Sequence, residues 1–146
     1  MGWFTPPLAV GAPAPDFSVS DQDGGRVTLA GLRGKNVVLV FYPADDTTLC
    51  TIQLCEFRDS WADADARNTV VFGVNPAGAA KHGKFRDKYK LPFPLLIDEG
   101  QKIAKLYQSD GWFAPRRTVY LIGPDGVMRY ARRGKPSPDE VLATAE

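Results

Sequence analysis

The sequence has few of the residues from which proteins build metal centres and disulfide frameworks. Its 146 residues include two cysteines and one histidine. A structural zinc site usually takes four cysteine or histidine ligands, and disulfide-stapled domains carry several cysteine pairs. We therefore expect neither a metal site nor a disulfide scaffold. The single histidine, His82, lies far along the chain from both cysteines, which argues against a cysteine–histidine catalytic pair.

The sequence also lacks net charge and long apolar runs. Its formal net charge is +1, so the overall balance gives no indication of a nucleic-acid or anionic-membrane partner. No apolar run approaches the roughly 18 residues that a membrane-spanning helix needs. The N-terminal residues do not show the basic segment and apolar core of a secretory signal. We expect a cytoplasmic protein that binds neither nucleic acid nor membranes.

The two cysteines that are present stand close together, at Cys50 and Cys55. They follow an apolar run that ends at the turn residue Pro43. In a reducing compartment a pair of cysteines is more often catalytic or metal-binding than a structural disulfide. Because ligands for a metal are lacking, redox chemistry at these two thiols is the leading interpretation.

Strand and helix patterns alternate along the chain and indicate an α/β fold. Residues 1–16 are rich in proline and alanine, which predicts an irregular N-terminal arm, and alternating segments on either side of 21–25 predict a β-hairpin. Further strands are predicted at 37–42, 69–74, 95–97, 118–122 and 127–131, and helices at 50–65, 79–90, 102–108 and after Ser137. We predict a mixed central sheet flanked by helices, in one domain spanning residues 1–146.

Helical spacing also predicts which side chains face the core. On helix 50–65, the residues spaced to share much of one face are Ile52, Cys55, Phe57 and Trp61. On helix 79–90, His82 falls among the lysines, and we predict that it lies on the solvated surface.

Three features around Cys50 favour the thiolate, which is the reactive form of a cysteine whose free pKa is about 8.5. Cys50 stands in or just before the first helical turn, where free N–H groups and the helix dipole favour negative charge. Thr47, three residues earlier, can turn its hydroxyl toward the sulfur, and Pro43 fixes the intervening turn. Asp45 and Asp46 oppose these effects, but solvation would screen their charges.

A cation beside the thiolate would complete such a site. Arg116 and Arg117 stand immediately before the strand at 118–122. Functional residues of α/β proteins are commonly found at the ends of the strands of the sheet. The residues alone leave the choice between the two arginines open, together with the alternative that both are surface residues. Trp112 and Phe113 form an apolar loop ahead of them, either at the entrance of the site or at a subunit contact.

The spacing of Cys50 and Cys55 limits how they can react with each other. Cα atoms five residues apart in an α-helix lie about 8–9 Å from each other, whereas a disulfide needs about 4.4–6.8 Å. A bond between the two sulfurs therefore requires the first turns of the helix to unwind. The alternative for Cys55 is a buried apolar side chain with no chemical role.

The motif Pro43-x-x-x-Thr47-x-x-Cys50, followed by Cys55, resembles the active-site segment of the peroxiredoxins. Within that family the likeness is to the bacterioferritin-comigratory-protein or peroxiredoxin Q branch. Segments similar to the family cover nearly the full chain, at 11–17, 85–98, 117–122 and 125–126. Thr48 and Leu49 depart from the family pattern, which usually has proline and glycine at these positions. A leucine in place of glycine restricts the backbone angles that the turn can adopt.

The resemblance implies a thioredoxin-like fold with an N-terminal hairpin, and reduction of hydrogen peroxide and organic hydroperoxides. It implies that Cys50 is the peroxidatic cysteine, that Cys55 resolves its sulfenic acid as an intramolecular disulfide, and that thioredoxin or a similar dithiol recycles the enzyme. Pro43, Thr47 and Arg117 would shape and activate the site. No metal, haem or flavin is implied, and we expect a monomer or a weak homodimer.

Two other functions remain open at this point. One is a thiol–disulfide oxidoreductase, although that chemistry favours a Cys-x-x-Cys spacing and four residues separate these cysteines. The other is a redox-sensing binding protein that uses the same fold and the same thiols.

Overall fold

The computed structural model of the protein describes residues 5–146, so the first four residues of the predicted N-terminal arm lie outside the described part. From Thr5 to Asp16 the arm contains no helix or strand. The strands are β1 Ser18–Ser20, β2 Arg26–Thr28, β3 Asn36–Phe41, β4 Thr69–Asn75, β5 Leu95–Ile97, β6 Thr118–Ile122 and β7 Met128–Arg133. The helices are α1 Thr48–Asp59, α2 Trp61–Ala66, α3 Ala79–Tyr89, α4 Lys102–Leu106 and α5 Pro138–Leu142.

A five-stranded mixed sheet forms the centre of the molecule, in the order β5-β4-β3-β6-β7. β3 pairs in parallel with β4 and β4 in parallel with β5, whereas β6 is antiparallel to both β3 and β7. β1 and β2 form a separate antiparallel hairpin, with Val19 opposite Val27. The predicted mixed sheet and the predicted N-terminal hairpin are both confirmed.

The central strand β3 is buried along all six residues, because both faces of the sheet are covered. Its side chains alternate between two apolar clusters. Val38 and Val40 point to the face that α1, α3 and α5 cover, and Cys50 belongs to that cluster. Leu39 and Phe41 point to the opposite face, which the hairpin and α4 cover. The chain that follows the carboxyl end of β3 therefore leads into the cluster that contains Cys50.

The predicted helix at 50–65 is two helices, because Ser60 leaves the helical conformation between α1 and α2. The buried side chains of α1 are Cys50, Gln53, Leu54 and Phe57. These positions follow the i, i+3, i+4, i+7 spacing of one helix face. Ile52 does not share that face, since it is 46% exposed, so its predicted place in the core is wrong.

The predicted place of His82 on the solvated surface is also wrong, because its side chain is 0% exposed. His82 lies on the inner side of α3 and forms hydrogen bonds with Asp45 and with the backbone of β5. Asp45 is itself buried, so solvent does not screen its charge, whereas Asp46 is exposed. Each of the two buried polar side chains satisfies the other, which is what makes their burial tolerable.

The helices are short, and the longest, α1, has 12 residues. None of the helices within residues 5–146 is long and apolar enough to cross a bilayer. α5 begins as predicted, with Ser137 accepting a hydrogen bond from the backbone N–H of Glu140 and with Pro138 in the first turn.

Candidate active site

Cys50 is the third residue of α1 and is 1% exposed. β3 ends at Phe41, and the chain turns through residues 42–47 before α1 begins. Thr47 is the N-cap in an extended conformation, and its carbonyl accepts the first helical bond, from the N–H of Thr51 at 2.8 Å. The sulfur therefore lies at the positive end of the helix dipole, where the first N–H groups have no helical partner.

Arg117 is the cation beside Cys50. Its Nη2 donates to Cys50 Sγ at 3.2 Å, and its Nη1 donates to Gln53 Oε1 at 2.7 Å. Arg117 occupies this place because it directly precedes β6, whose first residue, Thr118, pairs with Phe41 at the end of β3. The start of β6 and the start of α1 thus meet at the same edge of the sheet.

Arg116 does not reach the site. Its guanidinium donates to the carbonyls of Asp110 at 3.0 Å and Gln108 at 2.8 Å, so it ties down the loop before β6. The structure resolves the choice between the two arginines in favour of Arg117. In the same loop, Trp112 is exposed and Phe113 is 94% exposed, so neither side chain is buried within this chain.

Gln53 is a site residue that the sequence reasoning missed. Its side chain is fully buried, accepts from Arg117 and donates through Nε2 to the carbonyl of Gly134 at 3.4 Å. Gln53 thereby holds the guanidinium between α1 and the residue that follows β7. The signal in the sequence was its position three residues after Cys50, which places both on one helix face.

Pro43 and Thr47 belong to the turn but do not contact the sulfur through a hydrogen bond that the structure shows. Pro43 is half-buried. The Thr47 hydroxyl donates to the carbonyl of Ala44 at 3.1 Å, which closes the turn on itself. Asp46 adopts a left-handed conformation with φ of 57°, and its carboxylate accepts from Lys88 and from Tyr89 of α3.

The Asp45 side chain of this turn is buried in a hydrogen-bond network that the sequence did not predict. Asp45 Oδ1 accepts from the Tyr42 hydroxyl at 2.7 Å and from Asn75 Nδ2 at 2.9 Å. Asp45 Oδ2 lies 2.6 Å from His82 Nδ1, and His82 Nε2 lies 2.9 Å from the carbonyl of Leu96. Asn75 and His82 lie 30 and 37 residues from Asp45 in the sequence, which is why no local pattern indicated these contacts.

The electrostatics of this network favour a charged Asp45 and a neutral Tyr42. Desolvation by burial raises the pKa of Asp45, but hydrogen bonds from His82 and Tyr42, with the charge of His82, outweigh it and lower the pKa overall. Burial, followed by the charge of Asp45 and its hydrogen bond, raises the pKa of Tyr42 well above its usual value. Cys50 adds to the raised pKa of Tyr42, and the two side chains belong to the same buried cluster.

Cys55 lies on the same helix as Cys50 and is half-buried, and both thiols are free. Burial raises the pKa of the Cys55 thiol, Arg58 opposes this effect and Asp59 adds to it. Within the intact helix the two cysteines are therefore unlike: Cys50 receives a hydrogen bond from a guanidinium, and Cys55 is held as a thiol. Among residues 5–146, no three histidine, cysteine, aspartate or glutamate side chains converge into a group that would hold a metal.

Comparisons with known proteins identify similar sequences. Residues 10–131 match the model of the AhpC/TSA family. The chain is 40% identical over 136 residues to a protein named "Peroxiredoxin Q, chloroplastic" from Oryza sativa subsp. japonica, covering 91% of this chain and 63% of that one. It is 41% identical over 127 residues to "Peroxiredoxin Bcp" of Bacillus subtilis (strain 168), covering 82% of this chain and 81% of that one. The chain thus spans less than two thirds of the plant relative.

Solved structures show the same architecture. The structure of peroxidoxin BcpB from Mycobacterium tuberculosis superposes with a TM-score of 0.88 at 28% identity, covering 94% of this chain and 96% of that one. A structure of Xanthomonas campestris peroxiredoxin Q gives a TM-score of 0.81 at 25% identity, covering 87% of each chain. The predicted thioredoxin-like fold is confirmed.

Proposed function

The chain belongs to the AhpC/TSA family, and on that premise we propose that it is a thiol-dependent peroxidase in which Cys50 is the nucleophile and Cys55 resolves the product. The observation that carries the proposal is the hydrogen bond from Arg117 Nη2 to Cys50 Sγ at 3.2 Å, at the first turn of α1. A guanidinium and a helix N-terminus together stabilise a thiolate in a site that excludes bulk water.

In the first step, the Cys50 thiolate attacks one peroxide oxygen. An S–O bond forms, the O–O bond breaks, and the other oxygen leaves as hydroxide or alkoxide and takes a proton from water. Cys50 is oxidised to a sulfenic acid and the peroxide is reduced. Arg117 stabilises the negative charge as it moves from the sulfur to the leaving oxygen, while Gln53 fixes the guanidinium. Thr47 and Pro43 shape the turn through which the peroxide enters.

In the second step, the Cys55 sulfur attacks the sulfenic sulfur of Cys50, and water leaves as the disulfide forms. The Cα atoms of residues five apart in an α-helix are too far from each other for a disulfide. The first turns of α1 must therefore unwind before the two sulfurs can bond. A dithiol such as thioredoxin then reduces the disulfide to two thiols and is itself oxidised. Because both cysteines are on one chain, the cycle needs no second subunit, and we propose a monomer or a weak homodimer acting in a reducing compartment such as the cytoplasm.

The test is peroxide-dependent consumption of NADPH with thioredoxin and its reductase. Cys50→Ser is expected to abolish turnover, because it removes the sulfur that receives the hydrogen bond from Arg117. Cys55→Ser is expected to reduce about one peroxide per Cys50 and then stall with thioredoxin. Full turnover of Cys50→Ser would overturn the peroxidase assignment, and undiminished cycling of Cys55→Ser would overturn its role as the resolving cysteine.

Two control assays separate the alternatives that the same thiols allow. Reduction of insulin disulfides measures a thiol–disulfide oxidoreductase, and we expect no activity above background because the cysteines lack the Cys-x-x-Cys spacing. The rate of Cys50 oxidation by peroxide measures the sensor alternative, since oxidation at the rate of a free thiol would favour a sensor over an enzyme.

A further inference from the structure

The one histidine of the chain faces two hydrogen-bond acceptors. His82 Nδ1 lies 2.6 Å from the Asp45 carboxylate, and His82 Nε2 lies 2.9 Å from the carbonyl of Leu96. A carbonyl oxygen only accepts, so Nε2 must carry a hydrogen. The Asp45–His82 pair then holds one further proton between Nδ1 and Oδ2. The pair is therefore neutral as a whole, whichever atom carries that proton.

The pair ties the turn before Cys50 to three other elements. Asp45 is in the turn itself, and its carboxylate accepts from Tyr42 of the same turn and from Asn75 at the end of β4. It also shares a proton with His82 on α3, whose Nε2 donates to the carbonyl of Leu96 in β5. The side chains of Asp45 and His82 are both fully buried. A buried carboxylate with three partners fixes the turn strongly, because leaving any of those groups unpaired is costly.

A carboxylate in this place has an electrostatic cost for the proposed reaction. Tyr42 donates to Asp45 at 2.7 Å and belongs to the same buried cluster as Cys50, so the carboxylate and the sulfur share one buried neighbourhood. A second negative charge there would disfavour the Cys50 thiolate. β4 and β5 offer only the Asn75 amide and the Leu96 carbonyl, which are neutral, and the adjacent Asp46 faces solvent and pairs with Lys88. Among the contacts that the structure shows for Asp45, His82 is the group that can neutralise it.

We propose that His82 is a positioning residue for Cys50: it neutralises Asp45, so that a buried carboxylate can fix the active-site turn without repelling the thiolate. This inference rests on the proposed function, in which the Cys50 thiolate is the reactive species. It assigns a role to both partners, since Asp45 supplies the hydrogen bonds that fix the turn and His82 cancels the charge.

The variant that isolates the charge is His82→Gln. Glutamine donates hydrogen bonds but cannot become cationic, so Asp45 keeps Tyr42, Asn75 and an amide as donors but loses the partner that can cancel its charge. Adding Asp45→Asn removes that charge while retaining a polar side chain of the same shape. The two substitutions are placed in a Cys55→Ser background, so that Cys50 is the single thiol that reacts.

The measurement is the pH midpoint of Cys50 alkylation by iodoacetamide, checked by the ultraviolet absorbance of the thiolate. We expect His82→Gln to raise the midpoint by at least about half a pH unit, which slows alkylation at neutral pH about threefold. Asp45→Asn in the same protein should reverse at least half of that shift. The control is Asp98→Asn, which alters another buried carboxylate. Asp98 accepts hydrogen bonds from the N–H groups of Ile103 and Ala104 at the start of α4. The substitution should therefore lower the thermal stability of the protein without changing the pH midpoint of Cys50 alkylation.

A residue that only supports the fold would lower the unfolding temperature and leave the midpoint in place, so an unchanged midpoint in folded His82→Gln overturns the proposal. A shift that Asp45→Asn fails to reverse overturns it too, because charge would not be the cause. Alkylation does not depend on peroxide turnover, so this result stands apart from the peroxidase assay, whose failure would overturn the proposed function instead.

Discussion

The two halves of α1 are held to the rest of the molecule in different ways. From Thr48 to Gln53, the N-cap makes no side-chain bond to the helix, the first turn has no acidic residue, and Leu49 and Ile52 are exposed. From Leu54 to Asp59, Leu54 and Phe57 are buried in the apolar cluster beneath the helix. The first half buries the small Cys50 side chain and Gln53, both bonded by Arg117, whereas the second half is held by the packing of two large apolar side chains.

Further contacts strengthen the second half. Lys135 pairs with Glu56 at 2.9 Å, and Arg58 donates to the carbonyl of Tyr89 at 2.8 Å. The first half has the Arg117 bonds to Cys50 and Gln53 and the longer bond from Gln53 to Gly134. At about 0.5–1.5 kcal/mol for a typical hydrogen bond, and more where a charge is involved, releasing the first half costs a few kcal/mol. The helix is therefore expected to unwind up to about Gln53 while its second half stays folded.

Phe57→Ala should have the largest effect, because it removes a fully buried ring from the packed half. We expect a loss of about 3–5 kcal/mol in the free energy of unfolding, measured by chemical denaturation. Ile52→Ala is the matched change in the weakly held half and should cost less than about 1 kcal/mol, since Ile52 is largely exposed. Equal losses for the two variants would break the comparison.

Arg117→Ala should have the next largest effect, because it removes the main anchor of the first half and the cation at the sulfur. We expect the rate of peroxide reduction to fall by about 10²–10³-fold, as when other preorganised donors are removed. Arg117→Lys should recover only part of this rate, because an ammonium cannot bond Cys50 and Gln53 as a fork. Arg116→Ala is the control, since it should leave the rate of Cys50 oxidation within about twofold of that of the unsubstituted protein. Stopped-flow measurement of Cys50 oxidation by peroxide compares the three variants.

Leu49→Gly should act on the unwinding itself. Glycine in place of a helix former costs about 0.5–1 kcal/mol in the folded turn, which favours the unwound form about two- to fivefold. Disulfide formation after one equivalent of peroxide should accelerate by the same factor. Leu106→Gly is the control, because Leu106 is a similarly exposed leucine at the end of α4. Slower resolution in Leu49→Gly would contradict a rate limited by unwinding.

The smallest effect is the pH dependence of resolution. Burial raises the pKa of Cys55 in the helix, so a neutral thiol stabilises the helical form at pH values below the ordinary cysteine pKa of about 8.5. That stabilisation is lost as the pH rises, because the unwound form releases the proton first. We expect the rate of disulfide formation to increase from about pH 7 to pH 9. A rate that falls over that range would show that the helix does not protect the thiol.

Sequence patterns predicted the parts of the site that depend on short segments. Pro43, Thr47 and Cys50 follow from one turn and one helix start. The residues before the strand at 118–122 left Arg116 and Arg117 as alternatives, and the resemblance to the family favoured Arg117. The fold class followed from alternation of strands and helices in the same way. Each of these features depends on the pattern of residues within one short segment of the chain.

The features that the sequence did not predict depend on distant contacts. The lysines around His82 predict a surface position, but its buried partner Asp45 is 37 residues away in the sequence. Gln53 acquires its role only because Arg117, 64 residues on, reaches α1. The local pattern of apolar residues cannot predict such pairs. It indicates which face of a helix or strand is apolar, but not which polar side chain of another segment packs against that face.

Hydrogen exchange of the reduced protein and of the protein oxidised by one equivalent of peroxide tests the central claim most directly. We predict that oxidation removes protection from the amides of residues 51–53, the first that form helical hydrogen bonds, while residues 57–66 keep it, with a mass that shows the Cys50–Cys55 disulfide. Protection that persists at 51–53 in the disulfide form, or that is lost along the whole of α1 and α2, would contradict a helix in which only the weakly held half unwinds.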